Sequence, residues 1–422
     1  MPRTRGNGEG GLYELKGRGL WRGTVDLGYG PDGRRIQKTV TARTKSAARA
    51  KLDALKDEIR EFGAPLSKTL TVKEWAEHWL DTVVRPTGKP NTTSAYSSII
   101  RNWIIPQIGS RRTASLVPSD VRKVLKAITD AGRSTATASK AYFIMSGMFE
   151  DARRDGKMRR NVTVDVDHVQ VLSEERGALT TEQVLRVLQI ASQQWDGTRW
   201  WATLFGGLRQ GERLGATIDS IDFHTDVFTV QWELSEVPFA HGCGGDCGYK
   251  RPGSCPHRRL AIPRGLRHRQ LQGRICLLPP KSGKSRPFPM VKPLRDALAG
   301  YLEATEHVPN PHGLIWRNSD GSPITAAQDN EAWRRLLLDA GIITEEQAKP
   351  PKDRAVGTPE VPTSHWARHT TVTALMELGV PTKVIAEIVG QATERINERY
   401  QHVTSAEARK AQEMLGQRFS LT

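Results

Sequence analysis

Four short stretches of the 422-residue chain hold residue types suited to cutting and rejoining a phosphodiester. Gly207-Leu208-Arg209-Gln210-Gly211-Glu212 and Ser364-His365-Trp366-Ala367-Arg368-His369 each present an arginine. The stretch 280–286 contains Lys281, and 395–403 contains Tyr400. A phosphodiester resists attack because its non-bridging oxygens are already negative, and more charge builds in the transition state. Arginine stays charged and offers a planar fork that matches phosphate oxygens. Two arginines from separate segments can clamp both oxygens of a pentavalent state. A phenol, with an ordinary pKa of about 10, needs neighbouring positive charge or a proton acceptor before it attacks. Tyr400 is the expected nucleophile, and Lys281, in a Lys281-Ser282-Gly283-Lys284 turn, can protonate the leaving 5′ oxygen. A tyrosyl ester conserves the bond, so rejoining needs no nucleotide. The guanidiniums supply the electrostatics, so no cofactor is expected for catalysis. The chain also lacks a glycine-rich phosphate loop ending in Lys-Ser or Lys-Thr.

Each stretch taken singly is weak evidence. Arg-x-x-Glu on a helix is usually a salt bridge, His-x-x-Arg arises by chance, and a single tyrosine is more often a surface aromatic. Their order and spacing carry the reading. Arg209 is expected to open a helix, after two glycines that let backbone approach closely. Arg368 lies one helical turn after His365, so both project from one face. Thr363 or Ser364 is expected to cap that helix, and Gly379 to end it. Strands are expected at 227–232 and 286–290.

The length implies two or three domains. Residues 1–62 read as a small sheet with a backing helix. Trp21, Val25 and Leu27 alternate with polar residues, 28–33 is turn chemistry, and Ala48, Leu52, Leu55, Ile59 and Phe62 form a helical stripe. This segment has 14 Lys and Arg against 8 Asp and Glu, a net charge of +6. Such a unit can enter a DNA major groove. After a linker at 63–68, a helical block over 69–165 begins at a Thr71/Glu74 capping box. Val72, Trp75, Trp79 and Leu80 form the buried face of its first helix, and further helices are expected at 91–104, 119–129 and 134–154. Arg101, Arg111, Arg112, Arg122, Lys123 and Lys126 are its candidate phosphate contacts. A second linker at 162–177 leads to a mostly helical domain over 175–422, which opens with a Thr180/Gln183 capping box. The fold class is therefore mainly α with small β-sheets. The net charge of +16 points to a polyanion as partner. No apolar run approaches the roughly 20 residues of a membrane span, and the N-terminus lacks a signal-peptide core, so a cytoplasmic protein is expected. Four cysteines make no disulfide framework for this length, which fits a reducing compartment.

In these motifs the chain resembles the tyrosine recombinase (phage integrase) family. Residues 175–410 carry the resemblance most strongly. The helical block looks like that family's core-binding domain, and 1–62 like its arm-binding domain. The resemblance implies that Arg209, His365 and Arg368 are active-site residues, Lys281 the general acid and Tyr400 the nucleophile of a 3′-phosphotyrosyl intermediate. It also implies a homotetramer on double-stranded DNA attachment sites, with an excisionase and a DNA-bending protein as accessory partners and no membrane. One position departs. The family usually places histidine or tryptophan after the glycine ten residues before the tyrosine. Here that glycine is Gly390 and the next residue is Gln391. Glutamine can donate a hydrogen bond to phosphate but cannot exchange a proton near neutral pH. His369 and His402 are out of register and read as structural.

Between 237 and 275 lies a Gly- and Pro-rich insertion with too few apolar residues for a core of its own. Cys243, Cys247, Cys255 and His257 could supply four zinc ligands, with His241 as the alternative fourth. Cys276 reads as a core residue. The function expected is that of a site-specific recombinase that integrates or excises a phage or mobile element. The competing readings are a topoisomerase or resolvase using the same chemistry, and a DNA-binding regulator with an inactive site. The segment 404–422, with Ala406, Ala408, Ala411, Met414 and Leu415 at helical spacing, could pack on a neighbouring copy or on its own chain.

Overall fold

The structure is a computed structural model that describes residues 11–15, 17–29, 35–62, 70–171, 177–390 and 405–419. The linker at 63–68, the turn residues 30–33, and Gln391, Tyr400 and His402 lie outside the described residues. The chain divides into two compact units, one over 1–172 apart from 89–91, the other over 173–422 together with 89–91.

In the first unit, β1 (Gly11–Leu15), β2 (Leu20–Tyr29) and β3 (Arg35–Ala42) form an antiparallel sheet in sequential order. Val25 is buried on it, and Ala48 and Leu52 are buried on the helix Lys45–Phe62, which packs on the sheet. The helical block follows. Thr71 Oγ1 accepts from the Glu74 N–H at 3.2 Å, and the Glu74 carboxylate accepts from the Thr71 N–H at 2.8 Å, which closes the expected box at the start of Val72–Trp79. Val72, Trp75, Trp79 and Leu80 are buried. The two indoles remain satisfied there: Trp75 Nε1 donates to the Met148 carbonyl at 2.8 Å and Trp79 Nε1 to Asp151 at 2.7 Å. The helix Pro90–Ile99 runs on through a wider turn, Ile100–Ile104, into Ile105–Ile108. Pro118–Asp130 and Thr135–Arg154 close the block around Ile100, Ile104, Val121, Met145 and Phe149.

The second unit is mainly helical. Its described strands are β4 (Ile221–Asp222), β5 (Val227–Val230), β6 (Glu233–Glu236), β7 (Phe239–Ala240), β8 (Arg259–Leu260), β9 (Arg269–Gln272), β10 (Ile275–Leu278) and β11 (Arg286–Pro289). They form antiparallel sheets in the orders β6-β10-β9 and β11-β5-β4, and a β7-β8 pair. In the second sheet Phe288 lies opposite Phe228, and their rings stack at 5.1 Å. The strand expected to reach residue 232 ends at Val230. Trp232 leaves the ladder and instead packs under the Arg267 guanidinium, 4.2 Å from the ring centre. Around these sheets pack the helices Thr181–Ser192, Thr198–Gly206, Lys292–Ala304, Ala326–Asp339, Ser364–Glu377 and Thr382–Val389. The C-terminal helix Ser405–Arg418 packs on its own chain. Ala411, Leu415 and Phe419 enter the core, and Gln412 Nε2 donates to the Phe205 carbonyl at 3.2 Å. No described helix is long and apolar enough to cross a membrane.

Candidate active site

The centre of the site is the break between the helix Thr198–Gly206 and the short helix Gln210–Leu214. Gly207 takes φ +57° there, a left-handed conformation that turns the chain at little cost only in glycine. The turn leaves the Gly207 carbonyl pointing at a second segment, where Arg368 Nη1 donates to it at 2.6 Å. It also delivers Arg209 as the N-cap of the short helix. The Arg209 N–H donates to Glu212 Oε2 at 3.0 Å and its Nη1 to Glu212 Oε1 at 2.5 Å. Its Nη2 reaches the carbonyl of Gly390 at 3.0 Å. Gly390 has φ +65°, and a Cβ there would lie 2.4 Å from Arg286 Cδ, so the glycine is required on both counts.

Arg286 is the residue that sequence reasoning missed. In the sequence it stands only as the end of the Lys281 stretch and the first residue of the strand expected at 286–290. Here Arg286 Nη2 donates to Glu212 Oε2 at 2.8 Å, while Nη1 donates to the carbonyls of Ile388 and Gly206. A signal was available: Arg286 alternates with Phe288 on the inward face of β11, and a charge on a buried strand face needs a partner. Two guanidiniums, Arg209 and Arg286, therefore share one carboxylate, and Arg368 adds a third positive charge beside them. Burial pushes Glu212 up, but Arg286 and then Arg209 outweigh it and hold the carboxyl below its usual range. Burial, followed by repulsion from Arg209 and Arg286, pulls Arg368 down to about 9. Arg368 is 2% exposed, and its Nη2 makes no hydrogen bond with a described residue. The cluster is thus over-supplied with buried positive charge and donors, the inverse of a phosphate group.

A buried ion network lies behind it and fixes the short helix. Arg213 Nη2 donates to Asp329 Oδ2 at 2.5 Å, and Gln210 Nε2 donates to the same oxygen at 2.8 Å. The guanidiniums of Arg199 and Arg213 each lie 4.6 Å from the centre of the Trp200 ring.

The other expected residues are placed as follows. His365 is exposed in the first turn of Ser364–Glu377, one turn before the buried Arg368, and its ring meets that of His369 edge to face at 4.9 Å. Thr363 is the N-cap residue, though its side chain makes no capping hydrogen bond, and Gly379 ends the helix with φ +75°. Lys281 lies in an exposed turn, where the Gly283 N–H donates to the Pro280 carbonyl at 2.8 Å. Its ammonium makes no hydrogen bond with a described residue of the arginine cluster. Tyr400 and Gln391 are outside the described residues.

The insertion brings together His241, Cys243, Cys247 and Cys255, whose donor atoms all lie within 4.8 Å of one another. His257, the expected fourth member, is exposed and outside this group. The reason is local. Gly242 packs against the His257 carbonyl, and the β7-β8 pair starts two residues beyond His257, at Arg259. The chain thereby folds His241, beside β7, onto the thiols. Cys276 is fully buried with Val237 and Leu278 beneath the insertion.

In the helical block Arg101, Arg111, Arg112, Lys123 and Lys126 are all exposed. Arg111 pairs with Asp120 at 3.3 Å and Lys126 with Asp130 at 3.0 Å, while Lys123 Nζ donates to the Gln107 carbonyl at 3.3 Å.

Residues 264–407 match the model of the phage integrase family, and 71–128 that of the phage integrase N-terminal SAM-like domain. An integrase of Saccharopolyspora erythraea is 25% identical over 435 residues, covering 95% of this chain and 94% of its own length. The fold is shared with the Tn1549 transposon integrase solved in complex with circular intermediate DNA. That likeness has a TM-score of 0.56 at 19% identity and covers 81% of this chain and 99% of the other. It is shared too with a lambda integrase tetramer bound to a Holliday junction, at TM-score 0.53 and 14% identity over 97% of both chains. Family models and relatives along nearly the whole length alike mark the chain as similar to the phage integrase family of tyrosine recombinases.

Proposed function

We propose that this protein is a site-specific DNA recombinase in which Arg209 and Arg368 hold the scissile phosphate and Tyr400 attacks it. The observation that carries the reading is the cluster of Arg209, Arg286 and Arg368 around one carboxylate, Glu212, which pairs with the first two and leaves an Arg368 donor without a partner among the described residues. A phosphodiester would supply the missing negative charge and acceptors. In the forward step the Tyr400 oxygen bonds to phosphorus and the P–O5′ bond breaks. His365 accepts the phenol proton and Lys281 protonates the 5′ oxygen. Gln391 donates a hydrogen bond to the phosphate. Reversal by a second strand's 5′ hydroxyl rejoins the DNA with no nucleotide consumed. Arg286 and Glu212 act behind the arginines as positioning residues.

In this reading 1–62 binds arm-type DNA, 69–165 grips the core site with Arg101, Arg111, Arg112, Lys123 and Lys126, and 175–422 carries the chemistry. Four copies act on two duplexes, as the lambda integrase tetramer on its junction suggests. An excisionase and a DNA-bending protein set direction. The match to the phage integrase model and the similarity to integrases favour a recombinase over a topoisomerase or an inactive regulator. The test is strand exchange between two duplexes that carry the element's attachment sites, in EDTA and without nucleotide. Recombinant joints are expected. Relaxation of supercoils without joints would overturn the assignment.

The insertion is assigned a structural zinc ion held by His241, Cys243, Cys247 and Cys255. His241 Nδ1 lies 3.8 Å from Cys243 Sγ and 3.4 Å from Cys247 Sγ, and Cys255 Sγ lies 3.6 Å from Cys243 Sγ. Ligand atoms about 2.0 to 2.3 Å from one tetrahedral ion are separated by roughly 3.3 to 3.8 Å, so these three spacings fit zinc. The ion would order a segment with little core of its own. Zinc content of the purified protein tests the assignment, at one equivalent expected per chain.

A further inference from the structure

The insertion at 237–275 is far more basic than a structural loop requires. It contains Lys250, Arg251, Arg258, Arg259, Arg264, Arg267, Arg269 and Arg274 against the single acid Asp246, a net +7 of the chain's +16. All eight cations are exposed. Arg274 pairs with Glu236 at 3.5 Å, but among the described residues Lys250, Arg251, Arg259 and Arg264 form no ion pair. Tyr249 is 54% exposed beside Lys250. Unbalanced like charge concentrated on a short segment repels itself and is retained at a cost to the compact state, so it needs a polyanion to balance it. The segment is also held in shape. The β7-β8 pair closes its neck, the His/Cys cluster gathers its tip, and Arg258 and Arg267 lie over Phe239 and Trp232. A prearranged group of cations loses less on binding than a mobile one.

We infer that this insertion is a DNA clamp, a dedicated surface of Lys250, Arg251, Arg259 and Arg264 that grips the phosphates of duplex DNA. The inference rests on the recombinase reading and adds to it a DNA contact that lies outside the arginine cluster and the helical block. The insertion also feeds the catalytic segment. β10 leads out of it, and Lys281 follows three residues after the end of β10 at Leu278. A clamp at this point would steady the Lys281 turn on bound DNA.

The test measures binding of the full-length protein to a random-sequence duplex of about 40 base pairs over a range of salt concentrations. Replacing Lys250, Arg251, Arg259 and Arg264 with Gln should weaken binding at least about tenfold near physiological salt. It should also reduce the slope of log affinity against log salt by about 2 to 4, since each lost phosphate contact removes about 0.9. Thermal unfolding and zinc content should match wild type. A second variant with Lys at Arg251, Arg259 and Arg264 keeps the charge and should retain the wild-type slope. An unchanged slope in the Gln variant overturns the clamp, as does loss of binding in the Lys variant. So does a Gln variant altered only in self-association, which would make the surface a contact between copies. If wild type itself binds no duplex, the recombinase reading falls with it. If wild type binds and cleaves while the Gln variant equals it, only the clamp falls.

Discussion

Arg368 donates from Nη1 to the carbonyl of Gly207 at 2.6 Å, so the peptide two residues before Arg209 also aims the second arginine. The two guanidiniums are not independent. A left-handed glycine sets the direction of both, and substitution there should act on both. In Gly207→Ala the new Cβ would lie 2.8 Å from Val389 Cγ1 at a φ of +57°. The expected cost is about 1 to 2 kcal/mol of stability from the backbone alone. A loss of cleavage larger than that loss of folding is also expected. Parallel thermal unfolding and cleavage assays check this, and cleavage at the wild-type rate would contradict it.

Arg368 is held against its own electrostatics. Burial and the neighbouring Arg209 and Arg286 bring it down to about 9. For a base whose folded value lies below its ordinary one, the destabilisation is fully present below about pH 9 and is relieved as the pH rises through that value. Arg368→Met should therefore raise the melting temperature of the DNA-free protein at pH 7, because it removes a buried cation without a carboxylate of its own. Cleavage should fall by roughly 100- to 1000-fold. A lower melting temperature would mean that the hydrogen bond to Gly207 outweighs the repulsion.

Glu212 should behave in the opposite way. It is 1% exposed and neutralises Arg209 and Arg286. Glu212→Gln leaves that positive charge uncompensated and should cost roughly 3 kcal/mol at pH 7. Its folded value is depressed, so its contribution is present above the ordinary carboxylate range and is lost as the pH falls through the folded value. The stability gap between wild type and variant, read by chemical denaturation, should thus shrink below about pH 4. A gap that stays constant into acid would refute the charge-based account.

The zinc assignment separates two histidines. His241→Ala should lower bound zinc and loosen the insertion, as should Cys255→Ser, while His257→Ala should leave the metal content at one equivalent. Metal analysis with limited proteolysis of 237–275 reads both. Zinc lost in the His257 variant and kept in the His241 variant would return the ligand set to that read from spacing alone.

Local chemistry was legible in the sequence wherever neighbours in the chain decide it. The capping pairs Thr71/Glu74 and Thr180/Gln183 close as expected, because each needs only one turn of helix. The stripe Val72, Trp75, Trp79 and Leu80 is buried for the same reason. Arg209 and Arg368 were legible as a pair by type and order, and the structure links them through the Gly207 turn. What escaped depends on partners distant in sequence. Arg286 meets Glu212 across 74 residues, and no periodicity announces that contact. His241 displaced His257 because the β7-β8 pair determines which side of the loop meets the thiols. The helical spacing over 404–422 fits packing on either chain, and in its described part Leu415 and Phe419 lie in the core of their own chain.

The most direct test of the central claim is a duplex nicked beside the cleavage position, which loses a short fragment after attack and strands the enzyme on the DNA. Wild type should accumulate a covalent protein–DNA species whose modified peptide contains Tyr400. Tyr400→Phe should bind the same duplex with unchanged affinity and form none. Wild type that binds without becoming linked, or an adduct that persists in the Phe variant, would contradict the account.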